Sequence, residues 1–358
     1  MTLHGEIPVL RVAGSHREVG EKVGQATAGT IRHAIASLSD FLPAGRKLEQ
    51  QLALAAQYRA ATVRALPWIG AELDGVAAGA RVDPLALFAA SVEEIRAQPA
   101  STETSPSGRC SDILVTAPAT ADGHTLVAHT NDLDPVSEDE VVAIEWRVPG
   151  EPIIFSLGIG PWISVGWNEA GLSLTGDELS PNDERVGVPR LLMVREQLTK
   201  RTLADAVAAA LRPDRASSYN TLFAHRDDGV VGVEGSATDA ALITPDPAGT
   251  LIHTNHYLDE RMRRYERDPQ RAARSAVRSD RARELVERAM HHGGSITPEL
   301  LRTVLSDHAN APDSICRHAA PDQASKTVFW CLADVTEGRI MFGRGNPCTS
   351  TAQTYTFA

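Results

Sequence analysis

The chain has 358 residues, 42% of them hydrophobic and 23% charged, with a formal net charge of −11. That length suffices for one large domain or two ordinary ones, and the composition is that of a soluble globular protein. The negative balance argues against nucleic-acid or anionic-lipid partners; with no basic-then-apolar leader and no apolar run of membrane-spanning length, a cytoplasmic protein that engages no membrane is expected.

The first hundred residues read as helices. Ser15 to Glu18 is a capping-box pattern, and Val19, Val23, Ala26, Ile31, Ala34, Ile35 and Leu38 follow at roughly helical spacing. Gly20 and Gly24 weaken that helix intrinsically, so close packing of another element is expected there. Further helices are expected over about 46–66, about 68–80, and from the Asp83-Pro84 pair, a good N-cap and N1, to about Ile95. Residues 96–109, RAQPASTETSPSGR, are rich in Pro, Ser, Thr and Gly. They read as an exposed loop that is easily cut, or as a plain linker between a helical and a β-rich part. From Cys110 the pattern changes to strands: SDILVTA, TLVAHT, EVVAIEWRV, PIIFSLG, WISVGW and GLSLTG. Helices return near 188–199 and 202–211, strands near 220–225, 230–234, 240–244 and 251–254. A long charged helical region over 258–291, a helix capped by Thr297-Pro298, and the strands TVFWCLADV and RIMFGRG complete the chain. Antiparallel-looking strands with flanking helices predict an α+β fold of sheets covered by helical layers.

Of the four cysteines, Cys110, Cys316, Cys331 and Cys348, no two form a CxxC pair, and the set does not suggest a disulfide framework. Cys110 has the distinctive context, where loop gives way to strand. A cut between Arg109 and Cys110 would leave one residue with both a thiol and a free α-amine, a nucleophile carrying its own base. A hairpin pivoting near residue 121 sets Asp132 of HTNDLDP beside Cys110. There its carboxylate would orient the amine, or else cap a loop with Asn131 and Asp134. Asn255, just after a strand in LIHTNHYLD, offers an amide NH2 suited to an oxyanion. Its neighbours His253 and His256 form an HxxH that could hold a metal. A strand-end HxxH lacks the helical i, i+4 geometry of metallohydrolases, however, and no metal is expected. Arg317, in SDHANAPDSICRH, carries a fork suited to a carboxylate, or to a surface ion pair. Ser314 and Asn168 are weaker candidates for substrate binding, Asn168 reading first as turn chemistry. Trp146, Trp162 and Trp167 would line an acyl pocket or simply pack in the core.

Together GSHREVGEKVG, LDGVAAGARVD, RCSD, LVAHTNDLDP, GWNEAGLSLTGDEL, HTNHYL, DHANAPDSICRH and the terminal GNPC resemble, in order and over nearly the whole chain, the landmarks of one family. It is the isopenicillin N acyltransferase-like, or acyl-CoA:6-aminopenicillanic acid acyltransferase, family of cysteine N-terminal-nucleophile (Ntn) hydrolases. The resemblance implies a four-layer αββα sandwich, two antiparallel sheets covered by helices. It implies self-cleavage before Cys110 into a helical α fragment (1–109) and a β fragment (110–358) that stay associated as one domain. Cys110 would be the nucleophile, Asp132 the acidic residue, Asn255 the oxyanion-hole amide and Arg317 the arginine of the SICR-like motif. Arg109 stands where some members have Gly, Ser111 replaces a common Thr, and Asn131 and Leu133 depart from the family's pattern around Asp132. These changes leave the nucleophile intact and reshape the pocket rim. The implied reaction cleaves or transfers an acyl group at an amide or thioester of a small molecule or short peptide through a Cys110 acyl-enzyme. Acyl-CoA or another thioester would serve as donor for transfer, and hydrolysis is favoured because water is always available. No cofactor is expected. The alternatives are a metal-dependent hydrolase built on His253 and His256 and a non-catalytic binding protein.

Overall fold

The structure is a computed structural model that describes residues 5–96, 109–291, 294–320 and 325–357. Residues 97–108, on which the expectation of a cleavable loop rests, lie outside the described residues. Strand β1 (Val9–Ala13) precedes helices α1 (His16–Ala26), α2 (Ala28–Ala36), α3 (Leu48–Ala65), α4 (Pro67–Ala80) and α5 (Pro84–Ala90). Strands β2 (Arg109–Val115), β3 (Leu126–Leu133), β4 (Val141–Arg147), β5 (Ile154–Ile159), β6 (Trp162–Asn168) and β7 (Leu172–Asp177) follow. Next come α6 (Arg190–Leu198), α7 (Leu203–Ala210), β8 (Asn220–His225), β9 (Gly229–Gly235), β10 (Ala240–Ile243) and β11 (Thr250–His253). Helices α8 (Pro269–His291) and α9 (Pro298–Leu305) and strands β12 (Lys326–Asp334), β13 (Arg339–Arg344) and β14 (Gln353–Thr356) complete the order.

Local capping sets many of these boundaries. The Glu18 carboxylate accepts from both the Ser15 backbone N–H (2.8 Å) and its hydroxyl (2.7 Å). Asp83 Oδ1 accepts from the Ala86 N–H at 2.8 Å, with Pro84 as the first helical residue. Four helical expectations need correction. The helix that starts at Pro84 ends at Ala90 and not near Ile95, Glu93–Ile95 being a separate 3₁₀ turn. The first hundred residues are not all helical, because Val9–Ala13 is a strand that pairs parallel with β4. The first helix is interrupted at Thr27, whose φ of −109° and ψ of 18° end α1. The charged region 258–291 is a single 3₁₀ turn at Met262–Tyr265 followed by α8, which starts only at Pro269.

The eight-stranded sheet runs β1-β4-β5-β6-β7-β8-β9-β10 and the six-stranded sheet β11-β2-β3-β12-β13-β14, antiparallel throughout except for β1 with β4. The sheets face each other through Phe155, Leu157, Val165, Trp167 and Leu222 on one side and Leu114, Val127, Phe329, Cys331 and Phe342 on the other. The outer face of the larger sheet is covered by α1, α6 and α7 through Val19, Val23, Val194, Leu198 and Ala206. The outer face of the smaller one is covered by α8 and α9 through Ala282, Val286, Leu301 and Val304. Helix, sheet, sheet, helix is the four-layer α+β sandwich expected. Gly20 and Gly24 have the reason anticipated: α1 lies so close to α4 that a Cβ on Gly24 would sit 2.1 Å from the Val76 carbonyl oxygen, and one on Gly75 2.2 Å from that of Arg17. Among the described residues no helix is long and apolar enough to cross a membrane.

Candidate active site

Cys110 lies near the start of β2, between β11 and β3 in the smaller sheet, and is only 6% exposed. The hairpin register differs by one residue from the sequence expectation: Arg109 pairs with Asp132, and Cys110 with Asn131. A one-residue slip exchanges the faces of a strand. Alternation from Leu114 and Val127, which point at the other sheet, puts Cys110, Asp112, His129 and Asn131 on the inter-sheet face. Ser111 and Asp132 therefore face the α8 side. The group that meets the sulfur is Asn131, whose Nδ2 donates to Cys110 Sγ at 3.7 Å, while its Oδ1 has no hydrogen-bond partner among the described residues.

The nitrogen of Cys110 is held by a side chain. The β11–β2 ladder ends at His253 opposite Asp112. Two residues on, at the position that this register sets opposite Cys110, Asn255 Oδ1 accepts from the Cys110 N–H at 2.9 Å. The same oxygen accepts from Arg278 Nη2 at 2.6 Å, and Asn255 Nδ2 donates to the Glu178 carbonyl at 3.1 Å. The amide is thus turned so that its oxygen, not its NH2, faces the cysteine. Arg278, 1% exposed, also reaches the Cys110 carbonyl (3.3 Å) and the Ser111 hydroxyl (3.4 Å).

A buried charge network lies beside this pair. His129 Nδ1 is 2.9 Å from Asp112 Oδ1; His253 bridges Asp177 Oδ2 (2.9 Å) and Glu234 Oε1 (2.8 Å). Burial pushes the Cys110 thiol well up from its ordinary value, and the carboxylates of Asp177, Asp132, Asp112 and Glu178 push it the same way. The thiol therefore holds its proton until a base arrives. Burial and the neighbouring Asp177 raise Asp112 to about 6. Burial alone would depress His253, but hydrogen bonds to Asp177 and Glu234 outweigh it and raise the ring to about 9. Burial also opposes a charge on His129, yet Asp112 raises it, so this ring is no ready proton acceptor.

Asp132 is fully buried; its Oδ1 accepts from Thr327 Oγ1 at 2.7 Å, and its Oδ2 has no hydrogen-bond partner among the described residues. Burial raises its pKa, opposed by Arg317 and Arg278. Arg317 is 2% exposed, with Nη1 3.7 Å from Asp313 Oδ1 and no hydrogen bond from Nε among the described residues. Its backbone exchanges hydrogen bonds with Thr327: the Arg317 N–H donates to Thr327 Oγ1 and the Thr327 N–H to the Arg317 carbonyl, both at 3.0 Å. Cys110, Asp132, Asn255 and Arg317 thus gather around one strand end.

The weaker candidates lie elsewhere. Asn168 spends its NH2 on the carbonyls of Leu198 (2.9 Å) and Lys200 (2.7 Å) and its oxygen on the N–H groups of Ala170 (3.0 Å) and Leu172 (3.3 Å), which leaves nothing for a substrate. Ser314 donates to the Cys316 carbonyl at 2.8 Å. Trp146 and Trp167 pack in the two cores of the larger sheet, and Trp162 Nε1 bonds the Ser91 hydroxyl at 2.9 Å. Both ring nitrogens of His253 are committed to carboxylates, so an HxxH metal site there is not built.

Sequence reasoning missed Arg278, Asn131 as the sulfur's neighbour, and the acids Asp112, Asp177 and Glu234. A signal existed for Arg278: it lies on the buried helical stripe Ser275, Ser279, Ala282 and Val286, the wrong face for a solvated charge. A cavity of about 470 Å³ opens beside Leu126, His124 and Pro298. Leu126 pairs with Val115, at the far end of the hairpin from Cys110, so this cavity is not the reaction site.

The family model for acyl-coenzyme A:6-aminopenicillanic acid acyl-transferase matches residues 119–348. The match includes Asn131, Asp132, Asn255, Arg278 and Arg317 and starts after Cys110. No curated protein matches the chain. Among solved structures it is similar to a Caenorhabditis elegans ortholog of N-acylethanolamine-hydrolyzing acid amidase, at 14% identity over 63% of this chain and 93% of that one, TM-score 0.44. It is also similar to a mutant form of conjugated bile acid hydrolase from Clostridium perfringens, at 12% identity over 70% and 97%, TM-score 0.44. The family match extends over well more than half of the sequence, and the chain belongs to the acyl-coenzyme A:6-aminopenicillanic acid acyl-transferase family.

Proposed function

We propose that this chain is a self-processing Ntn enzyme that cleaves or transfers an acyl group at an amide or thioester carbonyl, with Cys110 as nucleophile. Family membership supports acyl transfer. The observation that carries the rest is the 2.9 Å hydrogen bond from the Cys110 nitrogen to Asn255 Oδ1. A side-chain oxygen backed by Arg278 stands in for the next ladder acceptor. Cutting the bond before Cys110 therefore costs no backbone hydrogen bond on that side, and the new α-amine keeps its acceptor.

In processing, Cys110 Sγ adds to the Arg109 carbonyl carbon, and the C–N bond breaks as the thiol proton passes to nitrogen. Water then opens the thioester, leaving an Arg109 carboxylate, a free thiol and the α-amine. The amine's ordinary pKa lies near 8. The carboxylates that hold the thiol protonated favour positive charge on the amine, which can therefore take the thiol proton. The thiolate attacks the substrate carbonyl. Asn131 Nδ2, already aimed at the sulfur, and a backbone N–H hold the oxyanion, each donor contributing roughly 3–4 kcal/mol if well aligned. The ammonium returns its proton to the departing amine or thiol, and water or an acceptor amine releases the acyl group. Asn255 Oδ1 orients the α-amine, and the nearby Asp132 carboxylate, between Thr327, Arg278 and Arg317, favours its positive charge; Arg317 balances Asp132. Fragments 1–109 and 110–358 stay together as one domain, because β1 is hydrogen-bonded to β4 and α1 packs on the larger sheet.

The substrate is a small-molecule amide, a short peptide or an acyl thioester, with hydrolysis the favoured outcome. The test is to incubate purified protein with N-acyl amino acids, short peptides, β-lactams and acyl thioesters. An acyl adduct on the Cys110-containing peptide, followed by mass spectrometry, is the expected result; turnover with the adduct on another residue contradicts the assignment.

A further inference from the structure

Apart from Cys110, three cysteines remain, and two of them meet two histidines at one point. His308 follows α9, Cys316 and His318 flank Arg317 on the way to β12, and Cys348 sits in the turn after β13. The potential ligand atoms of these four residues all lie within 4.8 Å of one another. Cys316 Sγ is 3.7 Å from Cys348 Sγ, and His308 Nε2 is 3.0 Å from His318 Nε2. His318 Nε2 lies 3.8 Å from Cys316 Sγ and 3.3 Å from Cys348 Sγ.

These are four of the six edges of a tetrahedron that would surround a small soft cation; the other two, from His308 to the two sulfurs, are no longer than 4.8 Å. Zinc–sulfur bonds of about 2.3 Å and zinc–nitrogen bonds of about 2.0–2.1 Å at tetrahedral angles give S···S about 3.8 Å, S···N about 3.5 Å and N···N about 3.3 Å. Each of the four measured edges falls within about 0.3 Å of its ideal. A disulfide would need the two sulfurs at about 2.05 Å. The set is two thiols and two imidazoles, the donor chemistry of a closed structural zinc site rather than of a hard oxygen-loving ion.

The surroundings match. Asn346 Nδ2 stands 3.3 Å from Cys316 Sγ and donates to the Arg317 carbonyl at 2.6 Å, an outer N–H that would steady a metal-bound thiolate. Arg302 Nη2 holds the Cys348 turn through the carbonyls of Pro347 (3.2 Å) and Ser350 (2.7 Å).

We propose that His308, Cys316, His318 and Cys348 bind one Zn²⁺ that ties the loop carrying Arg317 to the turn after β13. Binding replaces two thiol protons, released to solvent, by one doubly charged cation, so the loaded site is neutral. With no open coordination position the ion takes no part in chemistry. It fixes the backbone on both sides of Arg317 and, through Thr327, the partner of Asp132. This departs from the metal-free chain expected from sequence, and it holds whether or not Arg317 serves catalysis.

The experiment is elemental analysis of the intact protein, desalted after incubation with Zn²⁺ under reducing conditions. Wild type is expected to retain about one zinc per chain, and Cys348→Ser and His318→Ala less than a tenth of that. Because these side chains are exposed, both variants should keep the wild-type circular dichroism. Co²⁺ added to metal-stripped wild type, which needs no variant, should give the strong visible bands of a tetrahedral ion with thiolate charge transfer. Wild type without zinc, zinc retained by both variants, a weak octahedral cobalt spectrum, or a Cys316–Cys348 disulfide in the protein purified without reductant would each overturn the proposal.

Discussion

The charged groups that act on the Cys110 sulfur are carboxylates; the groups that meet the Cys316 and Cys348 sulfurs are imidazoles. The same functional group is thereby prepared for opposite uses. At Cys110, burial and Asp177, Asp132 and Asp112 disfavour a thiolate, so the proposed nucleophile would need a base to take its proton. At Cys316 and Cys348 two further neutral donors converge on one point, so a cation can ionise both sulfurs permanently. Reactivity follows from what faces the sulfur, and the cysteine's exposure is secondary: Cys110 and Cys316 are both buried.

The largest expected effect separates the two regions outright. Cys110→Ala should lower turnover at least about 10⁴-fold while leaving zinc content unchanged; comparable activity in the variant, or loss of its zinc, would dissolve the distinction. Next, if Asn131 holds the oxyanion as proposed, Asn131→Ala should lower kcat about 10²–10³-fold with little change in KM. A purely raised KM would instead make Asn131 a binding residue.

Gly24→Ala, remote from both cysteine regions, serves as a control. Its Cβ would lie 2.1 Å from the Val76 carbonyl oxygen, so urea denaturation should register a loss of about 1–3 kcal/mol with the zinc content of the folded fraction intact. The smallest effect is in pH dependence. His253 is raised from 6.5 to about 9, so its stabilisation is complete below 6.5 and is lost as pH rises through about 9. The Tm advantage of wild type over His253→Gln should therefore shrink across that window; a constant difference would mean that His253 is not held charged.

Much of the molecule was legible in its sequence. The strands from SDILV to GLSLTG stand out because alternation and turn residues are local signals, and Gly20 and Gly24 announced the α1–α4 contact because nothing else excuses two glycines in one helix. Strand β1 was missed because five residues, VLRVA, gain their hydrogen bonds from β4, more than a hundred positions away. The slip at Cys110 has a similar origin. Residues 116–125 join β2 to β3 irregularly, and half a residue in the pivot decides whether Asp132 or Asn131 meets the sulfur. Arg278 was hidden in a helix so rich in arginine that a buried one looked like its solvated neighbours. The four metal-ligand candidates escaped because Cys348 lies 30 residues from His318 and completes the set only through the fold.

The most direct measurement is the intact mass of wild-type protein under denaturing conditions, with sequencing of any new N-terminus. The account predicts two fragments divided at Arg109–Cys110, the larger beginning with an unblocked cysteine, which co-purify before denaturation. A single full-length chain that is fully active would contradict it.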